Sequence, residues 1–242
     1  MEVLHDLIGY KDLKIYEDTE SFSFSLDSVL LARFVSIRIS DKKILDLGTG
    51  TAPIPLILSY RTKALITGVE IQEKIANLAK RTIKYNHLED QIKIIQNDMK
   101  EFGKITERES FDVITINPPY FKYKDSSIVN ASSSKTIARH EILITLEEIF
   151  QVTSKLLKKN GTFAMVHRAE RLLDILNLYR KYNIEPKRMR FVYPKIGKDA
   201  NMILIEGKKN SLPGNLKVES PLYVHDDNNL YTDMVKQYFE WK

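Results

Sequence analysis

The chain has 242 residues, 43% of them hydrophobic and 29% charged, with a formal net charge of +5 and no cysteine. That size suits one domain with a sizeable core, and the missing cysteines exclude disulfides, thiolate metal sites and cysteine nucleophiles. The N-terminal MEVLHDLIGYKDLKIYED has no basic segment followed by an apolar run, and no stretch reaches the ~18 apolar residues of a membrane span, so a cytoplasmic protein away from membranes is expected.

The charge is uneven. Gln151–Asn210 carries 14 Lys/Arg against 5 Asp/Glu, whereas the rest of the chain is slightly acidic, with 23 against 27. A positive segment on a near-neutral protein is the footprint of a phosphate-rich partner, although solvated lysines give the same count.

From Lys42 onward, short apolar runs alternate with helical stretches. KKILDLG (Lys42–Gly48) reads as a buried strand and PIPLILSYR (Pro53–Arg61) as a helix, with proline tolerated in its first turn. ALITGVE (Ala64–Glu70) is a second strand. Gln72–Asn86 follows as an amphipathic helix with Ile75, Leu78, Ala79 and Ile83 on one face. QIKIIQND (Gln91–Asp98) and FDVITIN (Phe111–Asn117) are the third and fourth strands. A helix TLEEIFQVTSKLLKK, a strand TFAMVH (Thr162–His167), a helix near Ala169–Tyr182 and the late strands RMRFVYP and NMILIEG complete the series. This order predicts a doubly wound, mostly parallel seven-stranded α/β sheet ending in an antiparallel pair. Residues 1–40 form an N-terminal segment before it. A polar, Ser-rich stretch, Asp125–Lys135, sits in a long connection from Tyr120 to about Ile144, a length typical of lids or disordered segments.

The strand ends carry the chemistry. ILDLGTGTA places Asp46, Gly48, Thr49 and Gly50 after the first strand, where glycines let the backbone approach a ligand. The third glycine of a dinucleotide fingerprint would fall at Pro53, and the lysine of a P-loop is absent. A carboxylate at Asp46 disfavours pyrophosphate and suits an amine or another cation. Glu70, followed by Ile71, ends the second strand and can accept two ribose hydroxyls. Asn97 and Asp98 end the third, where a carboxylate can accept from an adenine amino group. Each acid alone could simply cap the next helix. The three in order describe a ligand with a cationic head, a ribose and an adenine, which is S-adenosylmethionine (SAM).

INPPYF (Ile116–Phe121) ends the fourth strand. Two prolines forbid a strand or helix interior there. The segment resembles the N/D-P-P-Y motif of SAM-dependent methyltransferases that act on an exocyclic or amide NH2. Such a nitrogen is a poor nucleophile because its lone pair is delocalised. The Asn117 side-chain oxygen and the Pro118 carbonyl would hold its hydrogens, Pro118 and Pro119 would stiffen the turn, and Tyr120 would stack on a planar base. The motif itself leaves adenine-N6, cytosine-N4 and glutamine-amide substrates open.

Further segments accumulate: FSFSLDSVLLARF (Phe22–Phe34), ARHE (Ala138–Glu141), FVYPKIGKDANMILIEGKK (Phe191–Lys209) and YVHDDNNLYTDMVKQYF (Tyr223–Phe239). With the two motifs, they make the chain similar to the bacterial tRNA adenine-N6-methyltransferases that modify adenine 37 of a valine tRNA. The resemblance implies a Rossmann-like methyltransferase domain over 41–242, a segment 1–40 covering the SAM site, SAM as methyl donor and tRNA as partner. It also implies that Asp46, Gly48, Glu70, Asp98 and Asn117 line the cofactor pocket, with Asn117–Tyr120 holding the adenine. One departure is Thr51-Ala52, where many methyltransferases have a further glycine.

Ser25, Asp27 and Ser28 read as a helix N-terminal cap and, functionally, as residues over the methionine end of SAM. Phe121, Lys122, Lys124 and Arg139 bracket the Ser-rich connection and suit stacking and phosphate contact. Lys187, Arg188, Arg190, Lys195 and Lys198 surround the late strands and are candidates for an RNA backbone. His140 and His167 lack metal-ligand spacing and read as structural; no metal is expected, and a monomer is. The alternative reading is a protein glutamine-amide methyltransferase using the same clamp. Such an enzyme is expected to carry a larger partner-binding segment than the 40 residues before the first strand.

Overall fold

The computed structural model describes residues 1–7, 10–18, 26–118 and 144–239. Its N-terminal segment opens with a hairpin of β1 (Glu2–Leu7) and β2 (Tyr10–Asp18), followed by helix α1 (Leu26–Phe34). In β2, buried Leu13 and Ile15 alternate with the more exposed Asp12, Lys14 and Tyr16, the period of a strand with one face covered.

Four parallel strands form the centre: β3 (Lys43–Leu47), β4 (Leu65–Glu70), β5 (Ile92–Gln96) and β6 (Phe111–Ile116). β3 pairs with β4 on one side and with β6 on the other, and β5 pairs with β4. The strands β3 and β6 are buried on both faces, which is why their sequences read as apolar runs and not as alternation. The chain moves outward from β3 to β4 and β5, then crosses to β6 on the opposite flank. The switch point of the sheet therefore falls between β3 and β6, where ligands bind in such folds.

Beyond β6 come β7 (Leu157–Arg168), parallel, then β9 (Met202–Lys209), antiparallel to both β7 and its other neighbour β8 (Ile184–Lys195). These complete the seven expected strands. Two short strands, β10 (Lys217–Val218) and β11 (Leu222–His225), run parallel to β8 and bring the sheet to nine among the described residues.

Helices cover both faces. α1, α2 (Pro53–Arg61) and α3 (Glu73–Tyr85) pack in one core cluster. α4 (Met99–Ile105), α5 (Leu146–Leu156) and α6 (Leu172–Lys181) pack in the other. A last helix, α7 (Asp233–Phe239), contributes Val235 to the first. α3 buries Ile75, Leu78, Ala79 and Ile83 as its periodicity predicts, and also Ala76 and Thr82. Thr82 and Asn86 then receive the amides of Tyr16 and Lys14, which fastens the hairpin along this helix.

Two boundaries differ. The strand β8, expected to start at Arg188, already begins at Ile184. The helix expected to run through Lys159 stops at Leu156, and β7 begins at Leu157 instead of Thr162. Asn160 adopts φ 59°, and a Cβ on Gly161 would lie 3.0 Å from the Asp112 carbonyl. The Asn-Gly pair is thus a kink within the strand, and the pairing with β6 changes register there. No helix among the described residues is long and apolar enough to cross a membrane.

Candidate active site

Register brings the strand-end residues to one edge. Leu47 pairs with both Val69 and Ile116, and Glu70 pairs with Gln96. Gly48, Glu70, Asn97 and Asn117 therefore leave the sheet within about one residue of the same level, and Asp46 lies two residues below them inside β3.

The loop after β3 is built on left-handed backbone. Gly48 has φ 64° and Gly50 φ 58°, and a Cβ on Gly50 would meet no atom within 4 Å, so that surface of the loop is open. Ala52 also sits at φ 73°, fully buried, and begins the helical hydrogen bonding by accepting from Leu56. This is the position where a glycine would relieve strain; alanine here holds a conformation costing on the order of 1 kcal/mol.

Asp46 is fully buried. Its Oδ1 accepts from the Thr115 hydroxyl at 2.7 Å, while its Oδ2 is buried with no hydrogen-bond partner among the described residues. Burial pushes the carboxyl up to about 7. The hydroxyls of Thr49 and Thr115 work against that rise, and the charge of Glu70 adds to it. Thr49 Oγ1 is likewise buried without a well-formed partner. A partnerless carboxylate oxygen beside an open glycine loop is matched to an incoming donor that carries positive charge.

Glu70 is buried, and both of its oxygens are engaged. Oε2 accepts from the Gly50 amide and Oε1 from the Gln72 amide, each at 3.0 Å. Each oxygen retains a second lone pair for a hydroxyl donor. The Ile71 carbonyl accepts from the Gln96 side chain, and the Asn97 amide donates to the Glu70 carbonyl. Asp98 caps α4, its Oδ1 accepting from the Lys100 amide at 2.7 Å, so the capping role holds there whatever else the residue does.

Asn117 follows β6 directly. Its Nδ2 donates to the Ser28 hydroxyl at 3.1 Å, which joins the first turn of α1 to the end of the fourth central strand. Asp27 lies in the same turn, and Pro118 is buried behind Asn117. Ser25, Pro119, Tyr120, Phe121, Lys122, Lys124, Arg139 and His140 lie outside the described residues. Thr115 is the site residue that sequence reading missed; a hydroxyl inside the apolar run FDVIT was its signal.

The five late cations separate. Lys195 ends β8, and Lys198 is exposed in the following loop; both lie beyond Val192, which is level with Met202 and hence with Arg168. They stand at the same edge as Asn117. Lys187 lies in the first half of β8, where it donates to the carbonyls of Leu212 and Gly214. Arg188 packs 4.2 Å over the Phe34 ring and pairs with Glu206 and Glu219 at 3.0 and 3.3 Å. Arg190 donates to Ser220 and Tyr238. The charges of Arg188 and Arg190 are compensated inside the fold, and a phosphate would have to compete for them. His167, the last residue but one of β7, is buried and pushed down to about 4, chiefly by burial and then by Arg171, and its Nδ1 accepts from the Arg168 amide. Among the described residues no group of three or more His, Asp or Glu is placed to hold a metal ion.

A family model described as a methyltransferase domain matches residues 39–212. The chain belongs to this methyltransferase family. Relatives of the methyltransferase include a protein of Bacteroides thetaiotaomicron, 28% identical over 95% of both chains, and one of Trichodesmium erythraeum, 26% identical over 95% of this chain and 96% of its own. Both are named tRNA1(Val) (adenine(37)-N6)-methyltransferase. Among solved structures, a predicted O-methyltransferase from Agrobacterium tumefaciens superposes with a TM-score of 0.68 at 20% identity, covering 88% of this chain and 95% of that one. Geranyl diphosphate C-methyltransferase from Streptomyces coelicolor, solved with S-adenosyl-L-homocysteine, superposes with a TM-score of 0.57 at 11% identity, over 75% and 76%. These two likenesses concern the fold of the methyltransferase.

Proposed function

We propose that this methyltransferase transfers a methyl group from SAM to the exocyclic N6 of an adenine in tRNA, adenine 37 of a valine tRNA. The observation that carries the reading is the adjacency of β3 and β6. The Asp46–Gly50 loop and Asn117 leave neighbouring strands at the switch point, so a cofactor bound by the first is beside a base held by the second. The names of relatives that match nearly end to end supply the base and the RNA.

The residues present fit SAM. The partnerless Oδ2 of Asp46 meets a cationic head, the open face over Gly50 admits the ligand, and Glu70 and Asp98 retain acceptor capacity for ribose and adenine. When bound, SAM supplies an electrophilic methyl group on a sulfonium. The chain's part is to hold the acceptor nitrogen. Asn117 Oδ1 and the Pro118 carbonyl accept the two amino hydrogens, which favours a pyramidal nitrogen with its lone pair available. Tyr120 stacks on the flipped base. Lys195 and Lys198, at the same edge, meet RNA phosphates, and the segment 1–40 covers the cofactor through Asp27 at the start of α1. The protein acts as a cytoplasmic monomer in this reading.

Labelled SAM offered with unmodified total tRNA, duplex DNA and a protein extract tests this. Label in tRNA, recovered as N6-methyladenosine after nuclease digestion and lost in Asn117→Ala, is the expected result. Label in protein with none in RNA would overturn it.

A further inference from the structure

Ser28 and Asn117 are 89 positions apart, yet the Ser28 hydroxyl is the acceptor for Asn117 Nδ2. A carboxamide presents a donor end and an acceptor end of nearly equal size, exchanged by a half-turn about χ2. An amino group bound for methylation brings two donors. With Oδ1 towards it the contact is a hydrogen bond; with Nδ2 towards it, donor faces donor. An asparagine clamp therefore works in one of two near-isosteric orientations, and a partner outside the substrate can pre-set the working one before the base arrives.

We propose that Ser28 is a positioning residue that pre-sets this orientation, its hydroxyl accepting from Nδ2 and not donating to Oδ1, so that Oδ1 is turned to the substrate amino group. The inference rests on the reading of Asn117 as the acceptor for that group. It reassigns Ser28 from a cofactor contact to a support for the clamp.

Ser28 is well placed for this. It is 5% exposed, and the helix carrying it is held at its other end. Arg61 donates to the carbonyls of Ala32 and Val35, Arg188 donates to that of Phe34, and the Ser36 amide and hydroxyl both bind Glu206, at 2.8 and 2.6 Å. Val29, Leu30, Leu31 and Ala32 are fully buried in between. A partner on a locked element fixes an orientation more sharply than one on a loop. Aspartate, the other residue used in N/D-P-P-Y motifs, offers two acceptors and no donor. It needs no such partner, and that difference gives the test.

Methyl transfer to tRNA is measured at saturating SAM and tRNA for the unmodified protein, Ser28→Ala, Ser28→Thr, Asn117→Asp and the Ser28→Ala/Asn117→Asp double variant, with SAM affinity followed by calorimetry. Ser28→Ala is expected to lower kcat about tenfold while SAM affinity changes by about twofold or less, the scale of one orienting hydrogen bond. Ser28→Thr restores the hydroxyl and most of the rate. In the Asn117→Asp background the Ser28→Ala loss shrinks to about threefold or less.

An unchanged kcat in Ser28→Ala sinks the proposal. So does an equal loss in both backgrounds, which would mark a packing role, or a loss confined to SAM affinity, which would return Ser28 to the cofactor. No transfer to tRNA by the unmodified protein would take down the functional reading and this proposal with it. Transfer that ignores Ser28 removes the proposal alone.

Discussion

The amide of Gly50 donates to Oε2 of Glu70 at 3.0 Å, so the acid that ends β4 holds the loop that follows β3. Glu70 thereby sets the shape of the loop before any ribose reaches it. Its second oxygen is fixed by the Gln72 amide, and neither can rotate away without stranding a backbone donor.

Glu70→Gln should therefore act on the loop as well as on the ligand. Whichever way the new amide points, its NH2 faces one of the two backbone amides. The cost is about 1–3 kcal/mol for a buried donor left unsatisfied. That corresponds to a fall in Tm of roughly 2–4 °C per kcal/mol in a chain of this size. Thermal unfolding and calorimetric SAM titration check it. The expected result is a lower Tm together with weaker SAM binding, and a kcat at saturating SAM that changes far less than the affinity. A variant with normal Tm and weak binding would mean that Glu70 serves the ribose only.

Asp46 predicts a pH dependence. Its carboxyl, ordinarily near 3.8, is pushed up to about 7 in the folded protein, so the fold binds this proton more tightly than the unfolded chain does. Raising the pH from about 4 to about 7 removes the proton and leaves a buried charge, and the contribution of Asp46 to stability falls across that window. A cationic ligand head reverses the balance by favouring the carboxylate. SAM binding should accordingly release about half a proton at pH 7, more at lower pH, and tighten as pH rises from about 6 to about 8. Calorimetry in two buffers of different ionisation enthalpy reads the release directly, and Asp46→Asn should abolish it. Identical apparent enthalpies in both buffers would place the cationic head elsewhere. His167 contributes in the opposite sense. Its value is lowered from 6.5 to about 4, so its share of stability is lost as pH falls from about 6.5 through 4.

Gly68 links sheet packing to the same pocket. It pairs with Asp46 in register, and a Cβ there would lie 2.8 Å from Thr49 Oγ1 and 2.9 Å from both Thr49 Cγ2 and Ile94 Cδ1. These are side-chain atoms, so the strand can keep its place if Thr49 moves, and Thr49 belongs to the glycine loop. Gly68→Ala is expected to destabilise by about 1–3 kcal/mol and to weaken SAM binding about tenfold or more. Unfolding and SAM titration on one preparation separate the two effects. A stability loss with unchanged SAM affinity would show that Ile94 yields instead.

The central sheet was legible because β3 and β6 are buried on both faces and the central strands end in polar residues, a contrast that a single sequence displays. KILDL, LITGVE and FDVITI stand out between amphipathic or proline-started helices, and the strand-end acids and INPPYF follow at the matching places. The hairpin was not legible as such. Leu13 and Ile15 do alternate with polar neighbours, but the partner they cover is α3, some 70 positions away. The strands β10 and β11 are too short to carry a period, and their place on β8 is a tertiary outcome. The Asn160-Gly161 pair looked like a turn between helix and strand because nothing local distinguishes a turn from a kinked strand. Among the cations, composition weighed Arg188 and Lys195 equally. Only the fold separates a guanidinium paired with Glu206 and Glu219 from an ammonium at the C-terminal edge whose partner among the described residues is the Asn229 side-chain oxygen, at 3.3 Å, and no carboxylate.

That separation gives the last prediction. Lys195 and Lys198 stand at the C-terminal edge of the sheet, the edge that also carries Asn117 although β9 and β7 lie between β8 and β6, whereas Lys187 is anchored on the Leu212 and Gly214 carbonyls farther down β8. If tRNA approaches the C-terminal edge, neutralising Lys195 and Lys198 together should weaken tRNA binding and reduce the slope of log affinity against log salt by roughly one unit or slightly less per lost phosphate contact. SAM affinity should not move, because neither lysine touches the glycine loop. Lys187→Ala should leave the salt slope close to that of the unmodified protein. Arg188→Ala should lower Tm instead, by removing the cation paired with buried Glu206, leaving Glu219 to Arg190, and losing the stack on Phe34. Fluorescence-anisotropy titrations of tRNA at several salt concentrations, run beside thermal unfolding, distinguish these outcomes. A larger slope change for Lys187 than for the Lys195/Lys198 pair would move the RNA path to the opposite end of the sheet, away from Asn117, and that arrangement could not deliver an adenine to the clamp.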